Sequence, residues 1–207
     1  MADDDSVRSM TALADLFEQH KYVVRRSCIN EPHLSLLYKY ACKRVEVGTM
    51  MHDAQVPLAW AAHGDVFTDG LLTDFLPITE AISSLELFPT YSYFRVYERG
   101  HALAKHTDRP ACEISLTLCL GYRAERPWPI LIEGPSGVSS IELAPGDGLF
   151  YRGIECPHWR EPLEGEQAVQ VFLHYVDKNG PYSEWKYDKR PGLPFSKANL
   201  LKLTGSA

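Results

Sequence analysis

The stretch YSYFRVYERGHALAKHTDRP, residues 91–110, decides how the chain is to be read. Its first seven residues alternate, so that Tyr91, Tyr93, Arg95 and Tyr97 share one face and Ser92, Phe94 and Val96 the other, as in a half-buried strand. A turn at Gly100 and a short run then lead to His106-Thr107-Asp108, which passes through Arg109-Pro110 into the strand-like CEISLTLCL. An imidazole and a carboxylate on such a two-strand mount can face one side of a barrel together. That is half of a metal site.

Downstream, the runs EISLTLCLGY, WPILIEG, SSIELA, GLFYRG and AVQVFLHYV are rich in β-branched and aromatic residues. Gly, Pro, Asp and Glu separate them, the mark of an antiparallel sandwich or barrel. Upstream, Leu13, Leu16 and Phe17 share a helical face, KYVVRRSCI reads as a strand, and NEPHLSLLYKYACKRV as a second helix with Asn30 as N-cap. Residues 48–64 have no clean period and read as a loop, followed by helical faces broken at Pro77. We therefore expect a mainly β fold with flanking helices in one domain: a helical lead-in over 1–90, an antiparallel sandwich or barrel core over 91–176 and a C-terminal wrap over 177–207.

With 207 residues, 45% hydrophobic and 23% charged, the chain can bury a sizeable core and is not disordered. A net charge of -6 offers no long-range attraction to phosphate backbones or anionic lipid, which disfavours nucleic acid as a partner. The opening Met1-Ala2-Asp3-Asp4-Asp5 is acidic where a secretory leader would be basic and then apolar, and no apolar run approaches the roughly 18 residues of a membrane span. A soluble cytoplasmic protein is expected. Five scattered cysteines without a Cys-x-x-Cys pair indicate neither a disulfide framework nor a zinc clip.

A His-x-Asp triplet is common by chance, and this chain has another at His63-Gly64-Asp65. There Asp65 directly precedes a helical pattern and reads as an N-cap. A facial Fe(II) site needs two His and one carboxylate, with the third ligand from a strand remote in sequence. His158, at the end of a strand in GLFYRGIECPHWREP, supplies it, with His174 as its competitor. His101, in the same turn as His106, reads as a surface loop residue.

Together these residues resemble the 2-oxoglutarate- and Fe(II)-dependent oxygenases, especially the prolyl-4-hydroxylase-like group. The resemblance rests on Tyr97-x-x-Gly100-x5-His106-x-Asp108, a strand ending near Tyr122, the run PGDGLFY, and His158 followed by Pro162 and Gly165. It spans residues 91–176, and the lead-in helix, strand and helix are similar as well. It implies a double-stranded β-helix that couples oxidative decarboxylation of 2-oxoglutarate by O2 to hydroxylation, or another two-electron oxidation, of a C–H bond. His106, Asp108 and His158 would be the metal ligands and the catalytic centre. Tyr97 and Tyr122 match positions where relatives place hydroxyls near 2-oxoglutarate.

The chain departs from that pattern at one place. The family carries an Arg or Lys nine or ten residues after the distal His to pair with the far carboxylate of 2-oxoglutarate, and here those positions hold Gln167 and Ala168. Arg95 is the first candidate replacement, followed by Arg160; Arg123, Gln167 and Gln170 remain open. Arg109, Trp159 and Arg160 adjoin the ligands and could line the substrate mouth, with pocket residues also drawn from loops 48–64 and 177–195. The expected partner is a small-molecule, amino-acid or peptidyl substrate; its identity and the oligomeric state do not follow from the sequence. The departure keeps two other readings open: an iron enzyme of the same barrel that does not use 2-oxoglutarate, and a non-catalytic binding module.

Overall fold

The computed structural model describes residues 2–193. The lead-in consists of α1 (Ala2–His20), β1 (Tyr22–Arg25), α2 (His33–Glu46), the short strands β2 (Met51–His52) and β3 (Trp60–His63), α3 (Val66–Asp74) and α4 (Leu76–Ser83). Then follow β4 (Leu87–Glu98), β5 (Leu103–His106), β6 (Ile114–Arg123), β7 (Ile130–Gly134), β8 (Gly137–Ile141), β9 (Gly148–Arg152), β10 (His158–Arg160) and β11 (Gln167–Asp177). Two 3-10 segments, Pro110–Cys112 and Ser183–Lys189, flank the core.

The strands form a seven-stranded sheet in the order β1-β9-β6-β11-β4-β3-β2 and a four-stranded sheet in the order β5-β10-β7-β8. From β4 onward the chain alternates between the two sheets, staying within one only at the β7–β8 hairpin, and the pairings are antiparallel. That winding is the double-stranded β-helix.

Register gives the large sheet two chemically distinct faces. Residues directly opposite across an antiparallel pair point the same way, so Gln170 shares a face with Arg95 and Cys119, Phe172 with Tyr93 and Thr117, and Ser115 with Tyr151. This polar and aromatic face looks into the barrel, with Tyr91, Tyr93, Arg95 and Tyr97 all on it as the alternation predicts. The opposite face carries Phe94, Val96, Leu116, Leu118, Val169, Val171 and Leu173, which pack with Phe17, Leu34, Leu37, Leu72 and Ile82 of the four helices. Each such buried side chain stabilises the fold by about 1.5–3 kcal/mol. The helices thus back one face, and the other lines the barrel interior.

Local signals explain most of the lead-in. Asp65 caps α3, accepting from the amides of Phe67 and Thr68, and also takes the Tyr40 hydroxyl and the Arg44 guanidinium. Pro77 falls in the first turn of α4, where its missing N–H costs nothing. Two expectations change. Asn30 does not cap α2; the helix begins at His33, and Glu31 Oε2 instead accepts from the Ser35 amide at 3.2 Å. The stretch 48–64 is not all loop, because β3 pairs with β4 from Trp60↔Val96 to His63↔Tyr93. Its alanines, Ala61 and Ala62, are too small to display hydrophobic alternation. Residues 194–207 of the expected C-terminal wrap lie outside the described residues. Among the described residues, no helix is long and apolar enough to cross a membrane.

Asp65→Ala is expected to lower the unfolding free energy by about 1–2 kcal/mol in urea denaturation, the range for a lost N-cap, whereas Asp65→Asn, which keeps the cap acceptor, should cost less.

Candidate active site

Three elements bring the His-x-Asp pair and the distal His together. β10 pairs with β5 so that His158 stands opposite His106. Asp108 leaves the end of β5, and its amide donates to Gly153 O at 2.9 Å, which ties it to the end of β9. Asp108 Oδ1 lies 3.6 Å from His106 Nε2 and 3.7 Å from His158 Nε2. One ligand atom from each residue falls within 4.8 Å of the others.

Both imidazoles are oriented by backbone. His106 Nδ1 lies 2.9 Å from Ala104 O, and His158 Nδ1 lies 2.9 Å from Cys156 O. A carbonyl can only accept, so each Nδ1 carries a proton, and in the neutral form of each ring Nε2 is left with its lone pair toward Asp108. Burial holds His158 below its ordinary pKa, hence neutral. Burial also pushes the Asp108 carboxyl up, but the contact with His106 outweighs it and the group is held below the usual carboxylate range. His106 is less buried, and the Asp108 carboxylate raises its pKa despite the burial it has. Two nitrogen lone pairs and one carboxylate on one side, all held from behind, make a donor set suited to a divalent first-row metal.

The three residues line a cavity of about 390 Å³ shared with Asp53, Gln55, Tyr91, Tyr93, Arg95, Arg109, Phe172 and His174, among others. Gln55 Nε2 sits 2.8 Å from His106 Nε2. Loop 48–64 contributes Asp53 and Gln55, as expected; the described part of segment 177–195 lines none of the cavity, and its Asp188 instead binds two lining residues from behind, Arg109 at 2.8 Å and His63 at 3.1 Å. His63 stacks on Tyr91 with ring centroids 4.4 Å apart. The triplet at His63 therefore divides, its Asp capping a helix and its His lining the cavity wall.

The candidate carboxylate anchors separate clearly. Arg95 is buried beside the trio, but its Nη2 is bound to Asp53 Oδ2 at 2.6 Å and Gln55 Oε1 at 3.0 Å, and its Nη1 to the Tyr97 hydroxyl at 3.1 Å. Arg160, two residues past His158 on β10, is 2% exposed. Its Nη1 donates to Trp128 O at 2.5 Å and its guanidinium lies 4.8 Å from the Trp128 ring centroid, yet Nε and Nη2 have no hydrogen-bond partner. Thr117 Oγ1 and Gln170 Oε1 on the inner face are likewise buried without partners.

Tyr97 is fully buried and packs edge-on against Trp128, and Tyr122 is half-buried against the same interior clusters. Gln167 points away from the barrel, accepting from Tyr38 of α2 at 2.8 Å, and Arg123 is exposed at the rim. His101 is a turn residue that accepts from the Glu98 amide at 3.0 Å. Trp159 stays outside, under Lys105. His174 is not in the trio; it stands behind Asp108, where Ser115 Oγ lies 2.9 Å from His174 Nδ1 and 3.1 Å from Asp108 Oδ2. Complete burial pushes the His174 imidazole down to about 4, so this ring is neutral.

No protein-family model and no curated protein matches the sequence. Solved structures do match. A Pseudomonas putida prolyl-4-hydroxylase superposes with a TM-score of 0.69 at 16% identity, over 81% of this chain and 98% of that one. The epimerase SnoN, solved with Fe3+, α-ketoglutarate and nogalamycin RO, gives 0.72 at 12% identity, over 89% and 91%. A Trichoplax adhaerens prolyl hydroxylase bound to a hypoxia-inducible-factor peptide gives 0.70 at 10%, over 84% and 92%. At these identities the likeness establishes the fold, a double-stranded β-helix of the form found in prolyl hydroxylases and α-ketoglutarate-dependent enzymes.

Gly153 has no room for a side chain: an added Cβ would collide with Cys112 O and the Asp108 carboxylate. Gly153→Ala is expected to cost about 1–3 kcal/mol of stability in urea denaturation and to weaken divalent-metal binding in an equilibrium titration.

Proposed function

We propose that the protein is an Fe(II)- and 2-oxoglutarate-dependent dioxygenase that hydroxylates a C–H bond of a small-molecule, amino-acid or peptidyl substrate, releasing succinate and CO2. The observation that carries this reading is the convergence of His106, Asp108 and His158, with both Nε2 lone pairs and Asp108 Oδ1 gathered on one side. The neighbours' ligands support it: an Fe3+ and α-ketoglutarate complex in one, a peptide in another.

His106, Asp108 and His158 would hold the iron, which with 2-oxoglutarate and O2 supplies the two-electron oxidation. The remaining work falls to the protein's own residues. Arg160, buried and short of two partners, is the cation we assign to the far carboxylate of 2-oxoglutarate, in place of the basic residue missing at Gln167 and Ala168. Gln170 and Thr117 can complete the polar lining of the barrel, with Tyr97 and Tyr122 packed nearby. Arg95 instead serves the cavity wall, since Asp53 already neutralises it. Gln55 must release His106 Nε2 for that nitrogen to serve as a ligand. The hydrophobic clusters around the inner face exclude bulk water, which strengthens each of these polar contacts.

Anaerobic Fe(II) titration with 2-oxoglutarate is expected to give the visible absorption of an Fe(II)–2-oxo acid chelate, absent in His106→Ala. Iron binding without that absorption would mean an iron enzyme that does not use 2-oxoglutarate; no iron binding would mean a binding module. Arg160→Met should weaken 2-oxoglutarate about 10- to 100-fold, from the roughly 1.5–3 kcal/mol of a charge-assisted contact. The same variant should melt no lower than wild type without ligands, because it removes a buried, incompletely paired charge.

A further inference from the structure

His174 is a buried imidazole on β11 that the proposed chemistry does not use, and it sits within reach of the carboxylate that the chemistry does use. The side chains Asp108, Cys112 and His174 also bring ligand atoms within 4.8 Å of one another, as a second metal site would. Their partners argue otherwise. Cys112 Sγ shares a hydrogen bond with the Tyr91 hydroxyl at 3.0 Å, and burial drives its pKa far above the ordinary thiol range, so no thiolate is available. His174 Nδ1 is taken up by Ser115.

We infer that Ser115 and His174 are positioning residues that fix the Asp108 carboxylate by a relay, His174 Nδ1–H to Ser115 Oγ and Ser115 O–H to Asp108 Oδ2. The inference rests on reading Asp108 as a metal ligand. Ser115 Oγ has one proton and, besides the Tyr151 hydroxyl of the opposite strand, which can donate, three neighbours: Asp108 Oδ2 at 3.1 Å, Cys112 O at 3.2 Å and His174 Nδ1 at 2.9 Å. Two of these, the carboxylate and the carbonyl, can only accept. If His174 carried its proton on Nε2, its Nδ1 would accept as well, and the hydroxyl would face three acceptors with one proton. With the proton on Nδ1, the ring donates to Ser115 and frees the hydroxyl for Asp108.

The consequence is a carboxylate with two unequal oxygens. Oδ2 is engaged from behind by Ser115, and Oδ1 alone faces His106 and His158. One oxygen toward the metal, rather than two, leaves more of the coordination sphere for a chelating cosubstrate and O2. Ser115 is fully buried on β6 and His174 is 5% exposed on β11, and the two stand directly opposite in the sheet. The relay is therefore built on paired strands of the large sheet, while the two imidazoles it serves come from the small one.

Anaerobic titration of the full chain with Fe(II) alone tests this, using Ser115→Ala, His174→Asn and His174→Gln. Ser115→Ala should weaken iron about 10- to 100-fold, the usual effect of losing a group that orients a ligand. His174→Asn places an amide nitrogen where Nδ1 was and should stay within a few-fold of wild type; His174→Gln places it where Nε2 was and should fall with Ser115→Ala. Unchanged affinity in Ser115→Ala, or equal affinity in the Asn and Gln variants, would overturn the relay. A second measurement needs no metal: histidine-labelled 15N NMR of the apo-protein should show His174 as the Nδ1–H tautomer, and an Nε2–H tautomer would overturn the proposal. A wild-type protein that takes no iron would refute the metal reading, while the NMR result still decides the relay.

Discussion

The antiparallel pairing of β10 with β5 is the constraint on which the site depends. It sets His158 opposite His106, so two residues far apart in sequence present their imidazoles to the same point, with ring centroids 4.4 Å apart. Because side chains alternate along a strand, a one-residue slip would send one ring to the outside of the barrel. The register is held by neighbours rather than by the histidines: β10 also pairs with β7, placing His158 beside Ile132 and Trp159 beside Leu131, and Ile132 belongs to the buried cluster beneath the site. The Asp108 amide bond to Gly153 O then brings in the carboxylate from the end of β9. A donor set of this kind is a product of strand register.

The large sheet carries the complementary burden. Its outer face is apolar and locked against the helices, which lets its inner face hold Arg95, Ser115, Thr117, Gln170 and His174, residues that would weaken an ordinary core. Buried polar groups are normally hydrogen-bonded, and most of these are. Arg95 is satisfied at Nη1 and Nη2 by Tyr97, Asp53 and Gln55, and His174 by Ser115. Apart from Arg152 Nε, which lies on the helix side, the buried side-chain atoms without partners among the described residues are on the inner face, at Arg95, Thr117 and Gln170, and at Arg160 on the strand opposite it. Apolar packing is concentrated on one side of the sheet and polar groups on the other.

Much of this was legible in the sequence, because it depends on local periodicity. The alternation in residues 91–97 correctly separated Tyr91, Tyr93, Arg95 and Tyr97 from Ser92, Phe94 and Val96; the succession of short strands indicated an antiparallel sandwich or barrel, and the resemblance carried by the His106 and His158 motifs indicated the jelly-roll winding. The structure brings His106, Asp108 and His158 together as the motif suggested. What was not legible depends on side-chain pairing between distant segments. Nothing local shows that Asp53 would claim Arg95, or that Arg160 would lie against Trp128 with two nitrogens unmet. Gln167 has the right spacing from His158 for an anchor, but strand alternation turns it to the helix side, where Tyr38 binds it. The spacing was informative about the strand and silent about its face.

Charge balance joins the two ends of the barrel. Arg95 with Asp53, and Arg109 with Asp188, are ion pairs that add little net charge to the cavity. Asp108 supplies one negative charge to the lining and Arg160, buried against Trp128 outside that lining, one positive, so the barrel interior is close to neutral, though Asp108 and Arg160 are not paired to each other. On the proposed reading, a divalent cation at Asp108 adds two positive charges, and the interior becomes an electropositive pocket with one centre at the histidines and another at Arg160. An uncompensated field of that kind in a low-dielectric interior is costly. A small dicarboxylate with one end on the metal and the other on Arg160 cancels it at both centres, whereas a monoanion would leave Arg160 unpaired. On the same reading, the position of the Arg160 guanidinium, two residues beyond His158 on the same strand, favours a dianionic cosubstrate even though Gln167 and Ala168 supply no basic residue.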